Sequence, residues 1–310
     1  MSRVIEFSDG AERGDTTWWS STGTGISVNT ASAIHGTYCY ALNITNGVVK
    51  TITTGLSELY FRCYVKYNSV GPVITFRNST TAILTLTMNT TLWRWDITTA
   101  TTGNTGNNSV SNSAWQCLEV HYKISDTVGE LTIRIDGTQV FTFSGDTKPG
   151  ADTTVDNMII LANAYFDDFA LDTATWCGLG YYIGLTANGA GDSTQWTPTG
   201  GANYANVEIP ANDSTYNSGT TGQTDNYALT NPSIGASSIL RVIPFARANN
   251  PAGGTLNIGL RTYATNYGTA VTTPTSLTWL PGAEYTTNPN SGNAWGASEL
   301  DSLEFYLNVP

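Results

Sequence analysis

The stretch from Trp115 to Asp172 constrains the fold most, because it alternates apolar and polar residues in several short runs. Leu118, Val120 and Tyr122 alternate with polar neighbours, the period of two expected when one face of a sheet is buried and the other faces solvent. A second run ends at Asp136-Gly137, a pair typical of a two-residue hairpin turn. This pattern predicts consecutive antiparallel strands.

The composition extends that prediction to the whole chain. Charged residues make up only 12% of the 310 residues, and Thr, Asn, Ser and Gly supply most of the polar side chains, as in all-β proteins with uncharged loops. Domains commonly hold about 100 to 200 residues, so the length suits two of them. Lysine is absent from residue 180 onward and proline becomes frequent there. We therefore predict two β-sandwich domains, residues 1–176 and 177–310.

The charge balance bears on partners. The formal net charge is -11 and the sequence pI is about 4.4, which opposes binding to nucleic acid or to an anionic membrane, because both need a basic surface. The sequence has no run of about 18 apolar residues and no apolar signal core at its beginning. We expect a protein that is made in a cytoplasm and does not enter a membrane.

The first 175 or so residues resemble the concanavalin A-like, laminin-G-like jelly roll. The resemblance rests on a strand that opens with Trp115, the Asp136-Gly137 hairpin, a Gly-Asp-Thr loop at 145–147 and a late strand with Asp167-Asp168. The early segment HGTYCYAL at 35–42 fits the same pattern. The resemblance implies a jelly-roll sandwich and carries no catalytic signature.

The second half resembles a β-sandwich found in structural proteins of tailed bacteriophages. The matching runs are GDSTQWTP, YANV, GQTDNYAL, RVIPFARA and NPNSGNAW, in that order. The resemblance implies a non-enzymatic virion component, in a capsid decoration, head fibre, neck or tail appendage, that binds other virion proteins and copies of itself. The alternative is a carbohydrate-binding or host-surface adhesion protein that holds a surface glycan on its jelly roll.

The carboxylates do not predict catalysis. Retaining glycoside hydrolysis needs two carboxyl groups about 5 Å apart, yet Glu119 and Glu130 fall on separate predicted strands and are expected on the solvent face. Asp167 and Asp168 are adjacent, so on a regular strand they would point to opposite faces and form no dyad. We therefore predict no catalytic residues and no enzymatic activity.

Metal and cofactor signals are also weak. Two His and four Cys show no zinc spacing, and no cofactor motif is present. A structural calcium ion stays open at the oxygen-rich loops 146–156 and 192–194, where polar turns that satisfy their own backbone are the alternative. The cysteines are expected as buried free thiols, with one or two disulfides as the alternative: Cys39, Cys63, Cys117 and Cys177.

Aromatic residues are the remaining candidates for contact with a protein or a glycan. These are Trp18, Trp19, Trp196, Tyr204 and Tyr216. The last three belong to a long stretch with little strand pattern, of the length that is usually functional. We expect this stretch to pack against a neighbouring subunit or another virion protein; the alternative is that it folds back over its own sheet. For Trp18 and Trp19 the alternative is packing at the mouth of the sandwich.

Overall fold

The computed structural model describes residues 5–42, 47–111, 113–207, 212–232, 234 and 238–310, with the backbone alone at residues 5, 6 and 68–70. The chain divides into two compact units, Met1–Ile183 and Gly184–Pro310. This division falls seven residues after the predicted boundary at 176–177, which stays a prediction. Among the described residues, no helix has the length and apolar character needed to cross a membrane.

The first unit is built from antiparallel strands. Within the described residues they are β1 (Ile5–Asp9), β2 (Ser21–Thr22), β3 (Ile26–Asn29), β4 (Cys39–Leu42), β5 (Val48–Leu56), β6 (Glu58–Asn78), β7 (Thr81–Asn89), β8 (Arg94–Thr98), β9 (Thr102–Asn104), β10 (Gln116–Lys123), β11 (Gly129–Ile135), β12 (Thr138–Gly145) and β13 (Val155–Asp172). The predicted hairpin is confirmed: Asp136 and Gly137 have φ of 51° and 77° between β11 and β12.

Two long strands turn this sheet into a sandwich. Phe61 and Phe76 both lie on β6, where a straight strand would separate them by about 50 Å, yet their ring centroids are 5.3 Å apart. The sheet folds back on itself around Gly71-Pro72. The first part of β6 pairs with β10 and the last part with β7, while β13 pairs with β6 along both parts. We call the layer with β10, β11 and β12 the front sheet and the layer with β7, β8 and β9 the back sheet.

A β-bulge interrupts β13 near its C-terminal end, where β13 pairs with the first part of β6. The register with β6 shifts between Asp167 and Ala170, and Asp168 has a φ of 50°. Phe166 and Phe169 therefore both enter the core, and their rings stack at 5.7 Å. The same extra residue turns Asp167 and Asp168 to one side of the strand. The expectation that these carboxylates point to opposite faces is wrong, because it assumed a regular strand.

The second unit contains shorter elements. They are β14 (Ala187–Thr194), β15 (Thr197–Pro198), a 3-10 turn (Asn203–Asn206), β16 (Asn217–Ser218), β17 (Thr224–Leu229), β18 (Phe245–Ala248), β19 (Gly254–Thr262), β20 (Thr265–Thr273), β21 (Thr278–Pro281), α1 (Ala297–Leu300) and β22 (Glu304–Asn308). The main sheet has the order β14-β17-β22-β19-β20. Residues 187–192 form most of β14, and residues 181–185 form no strand.

Four buried cysteines are free thiols in this structure: Cys39, Cys63, Cys117 and Cys177. Burial, the largest cause, raises the pKa of Cys39 and of Cys117 to about 12. Their thiolate population at neutral pH is therefore small, and they pack as small apolar side chains.

Candidate functional site

The outward face of the front sheet carries an unusual concentration of charged and aromatic side chains. The core side of β6 and β10 is apolar, so every second residue points outward. In register across these strands, Glu58 lies opposite Lys123, Tyr60 opposite His121 and Arg62 opposite Glu119. On β11, Arg134 pairs with Glu119 and Glu130 with Lys123. We call this surface the front face.

Segment 173–183 crosses the front face and covers half of it. Its backbone is held by side chains of the sheet: Glu119 Oε1 accepts from Gly178 N at 2.8 Å, and Arg62 Nη1 donates to Gly178 O at 3.2 Å. Arg62 and Glu119 are consequently buried. The expectation that Glu119 faces solvent is wrong, because a distant segment uses its carboxylate. These contacts also place residues 177–183 in the first unit.

The uncovered half of the front face is centred on His121. Glu58 Oε1 lies 2.8 Å from His121 Nε2, and Glu130 Oε2 lies 4.0 Å from His121 Nδ1. The two carboxylates come from β6 and β11, on either side of β10. Their side chains are 37% and 51% exposed, whereas the His121 side chain is only 9% exposed. The exposed carboxylates of Glu58 and Glu130 therefore both lie within 4.0 Å of one buried imidazole.

Aromatic rings border this histidine. Tyr60 stacks on His121 with centroids 4.3 Å apart, and Trp176 meets both rings edge-on. The Arg134 guanidinium lies 3.8 Å from the Trp176 ring centroid. Burial and then Glu58 raise the pKa of Tyr60, so its hydroxyl keeps its proton. We call Glu58, Tyr60, His121, Glu130, Arg134 and Trp176 the His121 site.

A second histidine lies at the covered end of the front face. His35 Nδ1 is 2.7 Å from Asp168 Oδ2, and Asp168 Oδ1 accepts from Tyr182 N at 2.7 Å. The His35 ring stacks on Tyr181 at 4.4 Å. Asp167 Oδ2 accepts from Ile34 N. Burial and then Asp168 raise the pKa of Asp167 to about 9, against the backbone donors, which lower it. Through these hydrogen bonds, Asp167 and Asp168 hold residues 34–35 and segment 173–183 against the sheet.

The predicted contact residues Trp18 and Trp19 pack at the edge of the first unit. Trp19 is 5% exposed and its ring contacts Phe7 and Phe169 at 5.4 and 5.0 Å. Trp18 is half-buried, with the Lys50 ammonium 4.9 Å from its ring centroid. The Trp19 ring is therefore enclosed in the core, and the contact role of Trp18 stays a prediction.

The other predicted contact residues belong to the second unit. Trp196 and Tyr204 are half-buried and pack on their own unit's core. Trp196 N donates to Asp225 Oδ1 at 3.0 Å. These contacts agree with the alternative, in which the stretch folds back over its own sheet, and the contact role of both residues stays a prediction. Tyr216 is 57% exposed, and its contact role stays a prediction.

The two candidate calcium loops use their oxygens within the protein. Asp146 Oδ1 accepts from Lys148 N, and Asp156 Oδ1 accepts from Ser79 N at 2.8 Å. Asp192 Oδ2 accepts from Arg261 Nε at 2.9 Å. Among the described residues, no group of three or more His, Cys, Asp or Glu side chains is arranged to hold a metal ion.

The His121 site is not apparent in the sequence, because the polar alternates of β10 and β11 have the pattern of an ordinary solvated sheet face. One signal was available: the short loop at 124–128 fixes which residues of the two strands lie opposite each other. That register places Glu119 opposite Arg134. It also places His121, on β10, between Glu58 on β6 and Glu130 on β11. No local signal reveals Trp176, which reaches the site from a different segment.

No protein-family model matches the sequence, and no curated protein matches it. Solved structures are similar at low identity. The endo-β-1,4-glucuronan lyase from the fungus Trichoderma reesei has 12% identity and a TM-score of 0.42, over 55% of this chain and 96% of the lyase. Domain 4 of an extracellular arabinanase from Geobacillus stearothermophilus, in complex with arabinotriose, has 9% identity and a TM-score of 0.41, over 56% and 94%. A galectin from Caenorhabditis elegans has 13% and 0.33, over 42% and 92%.

The predicted fold class, all-β with a jelly-roll sandwich, is confirmed by the strands and by the large sheet that folds back on itself in the first unit. The prediction that the chain is not an enzyme is withdrawn, because similar structures include the glucuronan lyase and an alginate lyase. At these identities and TM-scores the likeness concerns the fold and assigns no activity to this chain. The similar structures named above do not bear on a bacteriophage origin.

Proposed function

We propose that the first unit is a glycan-binding domain and that the His121 site is its binding surface. The observation that carries this proposal is the pair of exposed carboxylates, Glu58 and Glu130, which converge from two strands on the buried His121 ring. Sugar hydroxyls donate well to carboxylates, and such charge-assisted hydrogen bonds are about twice as strong as neutral ones. A few fixed polar groups beside aromatic rings are the usual makeup of a small-molecule site.

The surrounding side chains suit the remaining parts of a sugar. Arg134 presents donors in a planar fork for ring or hydroxyl oxygens. Its position over Trp176, at 3.8 Å, restricts its conformations before a ligand arrives. Tyr60 adds a hydroxyl, which donates to Glu58 Oε1 at 3.3 Å. The site thus offers acceptors, donors and an apolar edge within three neighbouring strands and one crossing segment.

A glycan array probed with the full chain tests this proposal. We expect binding to a defined set of glycans, and at least roughly tenfold weaker binding by the double variant Glu58→Gln, Glu130→Gln, because one charge-assisted hydrogen bond contributes about 1.5–3 kcal/mol. Asp126→Asn is the matched control, since this carboxylate is 65% exposed and lies outside the site. Absence of glycan binding by the unaltered chain, or equal binding by the double variant, would contradict the proposal.

Turnover is measured on the same glycans. Chromatography after long incubation shows whether a bound glycan is shortened, and the variant His121→Gln shows whether any product depends on this site. The role in a bacteriophage particle stays a separate prediction from sequence resemblance. Mass spectrometry of purified particles, with copy number per particle, is its test.

A further inference from the structure

The edge strand β20 of the second unit presents an open row of backbone groups. It pairs with β19 over nine consecutive residues, from Gly254↔Thr273 to Thr262↔Thr265, without an irregularity. Within the described part of the chain, no other strand pairs with β20. Most of its residues, including Thr269 and Ala270, are exposed. An edge of this kind is a template for another strand.

The hairpin turn determines which backbone groups point away from β19. The turn residues Tyr263 and Ala264 have φ of 48° and 64°, as in the two-residue turn that makes Thr262 and Thr265 a hydrogen-bonded pair. Hydrogen-bonded and non-hydrogen-bonded pairs then alternate along the ladder. The outward N–H and C=O groups consequently belong to Asn266, Gly268, Ala270 and Thr272.

This edge lacks the devices that protect the others. Natural edges are blocked by charged residues, proline, bulges or short length. The opposite edge, β14, has two register irregularities and carries Asp192. In the first unit, the β11–β12 edge ladder has a bulge at Ile133/Arg134. The sequence of β20, TNYGTAVTT, contains no charged residue and no proline. In a chain with a net charge of -11, such a strand is a surface on which two copies approach without direct repulsion.

We infer that β20 pairs antiparallel with β20 of a second copy of this chain. Two identical antiparallel strands are related by a two-fold axis, the commonest symmetry of homo-oligomers. With the axis at Thr269, Gly268 pairs with Ala270 of the partner subunit, and Asn266 pairs with Thr272 of the partner subunit. This register uses all four outward residues, whereas an axis at Gly268 or Ala270 uses three. Thr269 then lies directly opposite its own copy.

Charge exchange at Thr269 tests both the partner and the register. Sedimentation of the full chain should give a dimer, and the single variants Thr269→Lys and Thr269→Glu should each be monomers, with half the mass, because like charges opposite each other oppose pairing. A mixture of the two variants should restore the dimer mass. Thr87→Lys is the matched control, since Thr87 is exposed on β7, which has a strand on each side.

A second variant addresses the backbone directly. Ala270→Pro removes an outward N–H while leaving the β19 ladder intact, as proline does on edge strands, and we expect a monomer. A monomeric unaltered chain would overturn the inference. So would a dimer that survives both charge variants, or a mixture of them that stays monomeric. The glycan-array result for the first unit is independent of each of these outcomes.

Discussion

The two units bury their side chains by different means. The first has one continuous apolar core, to which both sheets contribute, with residues such as Phe61, Ile74, Leu118 and Phe169 almost inaccessible to solvent. Among its described residues, the second has two small apolar clusters and a buried carboxylate, Asp225, that accepts hydrogen bonds from the connection after β14. Where apolar area is limited, hydrogen bonds to buried groups have a larger share in fixing one structure.

Both oxygens of the buried Asp225 carboxylate accept hydrogen bonds. Asp225 Oδ1 accepts from Trp196 N, and Oδ2 accepts from Asn203 Nδ2 at 2.6 Å and from Tyr227 Oη at 2.7 Å. Asn217 Nδ2 donates to Tyr227 Oη at 2.9 Å. Burial and then Asp225 raise the pKa of Tyr227 far above its usual range, so its hydroxyl stays a donor. Side-chain hydrogen bonds therefore hold Trp196, Asn203 and Asn217 to their own unit.

The largest effect is expected from truncation in the first core. Phe169 is fully buried, and its ring contacts the rings of Phe7, Trp19, Tyr40, Phe61 and Phe166. Phe169→Ala should lower the free energy of unfolding of the first unit by about 3–5 kcal/mol. Hydrogen exchange read by mass spectrometry reports each unit separately. Phe141→Ala, at a half-buried position on β12, is the control and should cost much less. If both variants lowered the free energy of unfolding equally, the complete burial of Phe169 would add nothing to the stability of the first unit.

An intermediate effect is expected from Asp225. Asp225→Ala removes the acceptor of the Trp196 amide and of the Tyr227 hydroxyl, and it leaves Asn203 Nδ2 with Trp196 O as its remaining acceptor. The second unit should lose about 2–4 kcal/mol, because each buried donor left unpaired costs about 1–3 kcal/mol and part of the site rehydrates. Asp225→Asn keeps one acceptor oxygen and should cost less. The contrast between the units would fail if exchange in the first unit rose to the same extent.

The smallest effect is expected from Lys50, which lies in the first unit. Lys50 Nζ donates to Trp18 O at 2.7 Å, and burial, the largest cause, lowers its pKa to about 8. Between pH 8 and 10.5 the unfolded chain keeps this proton and the folded chain releases it, so the free energy of unfolding of the first unit rises with pH. We expect a rise of about 1 kcal/mol after allowance for solvent screening.

The variant Lys50→Met isolates this contribution. The difference in unfolding free energy between the unaltered chain and the variant is followed from pH 8 to about 10. Tyrosines that titrate near the upper end contribute equally to both chains, so their contribution cancels in this difference. The second unit has no lysine and supplies an internal reference. A difference that does not change with pH would show that Lys50 is solvated in the folded protein.

The sequence by itself determined the strands whose alternation is regular. The polar and apolar alternates of β10 and the Asp136-Gly137 turn predicted the central antiparallel strands and the β11–β12 hairpin, because side-chain direction in a strand follows the local period. Composition likewise indicated an all-β chain with a change near residue 180. Half of the His121 site, namely the outward residues of β10 and β11, lies on strands that this alternation predicted.

Only the tertiary structure decided which parts of those faces are open. Glu119 is buried because segment 173–183 crosses it, and Trp176 joins the His121 site from that same segment. The bulge at Asp168 reverses the side on which its carboxylate lies. Each feature depends on contacts between residues far apart in the chain, whereas the period of a strand reports only local direction. For this reason the sequence determined the sheets, while the tertiary structure determined the exposed surface.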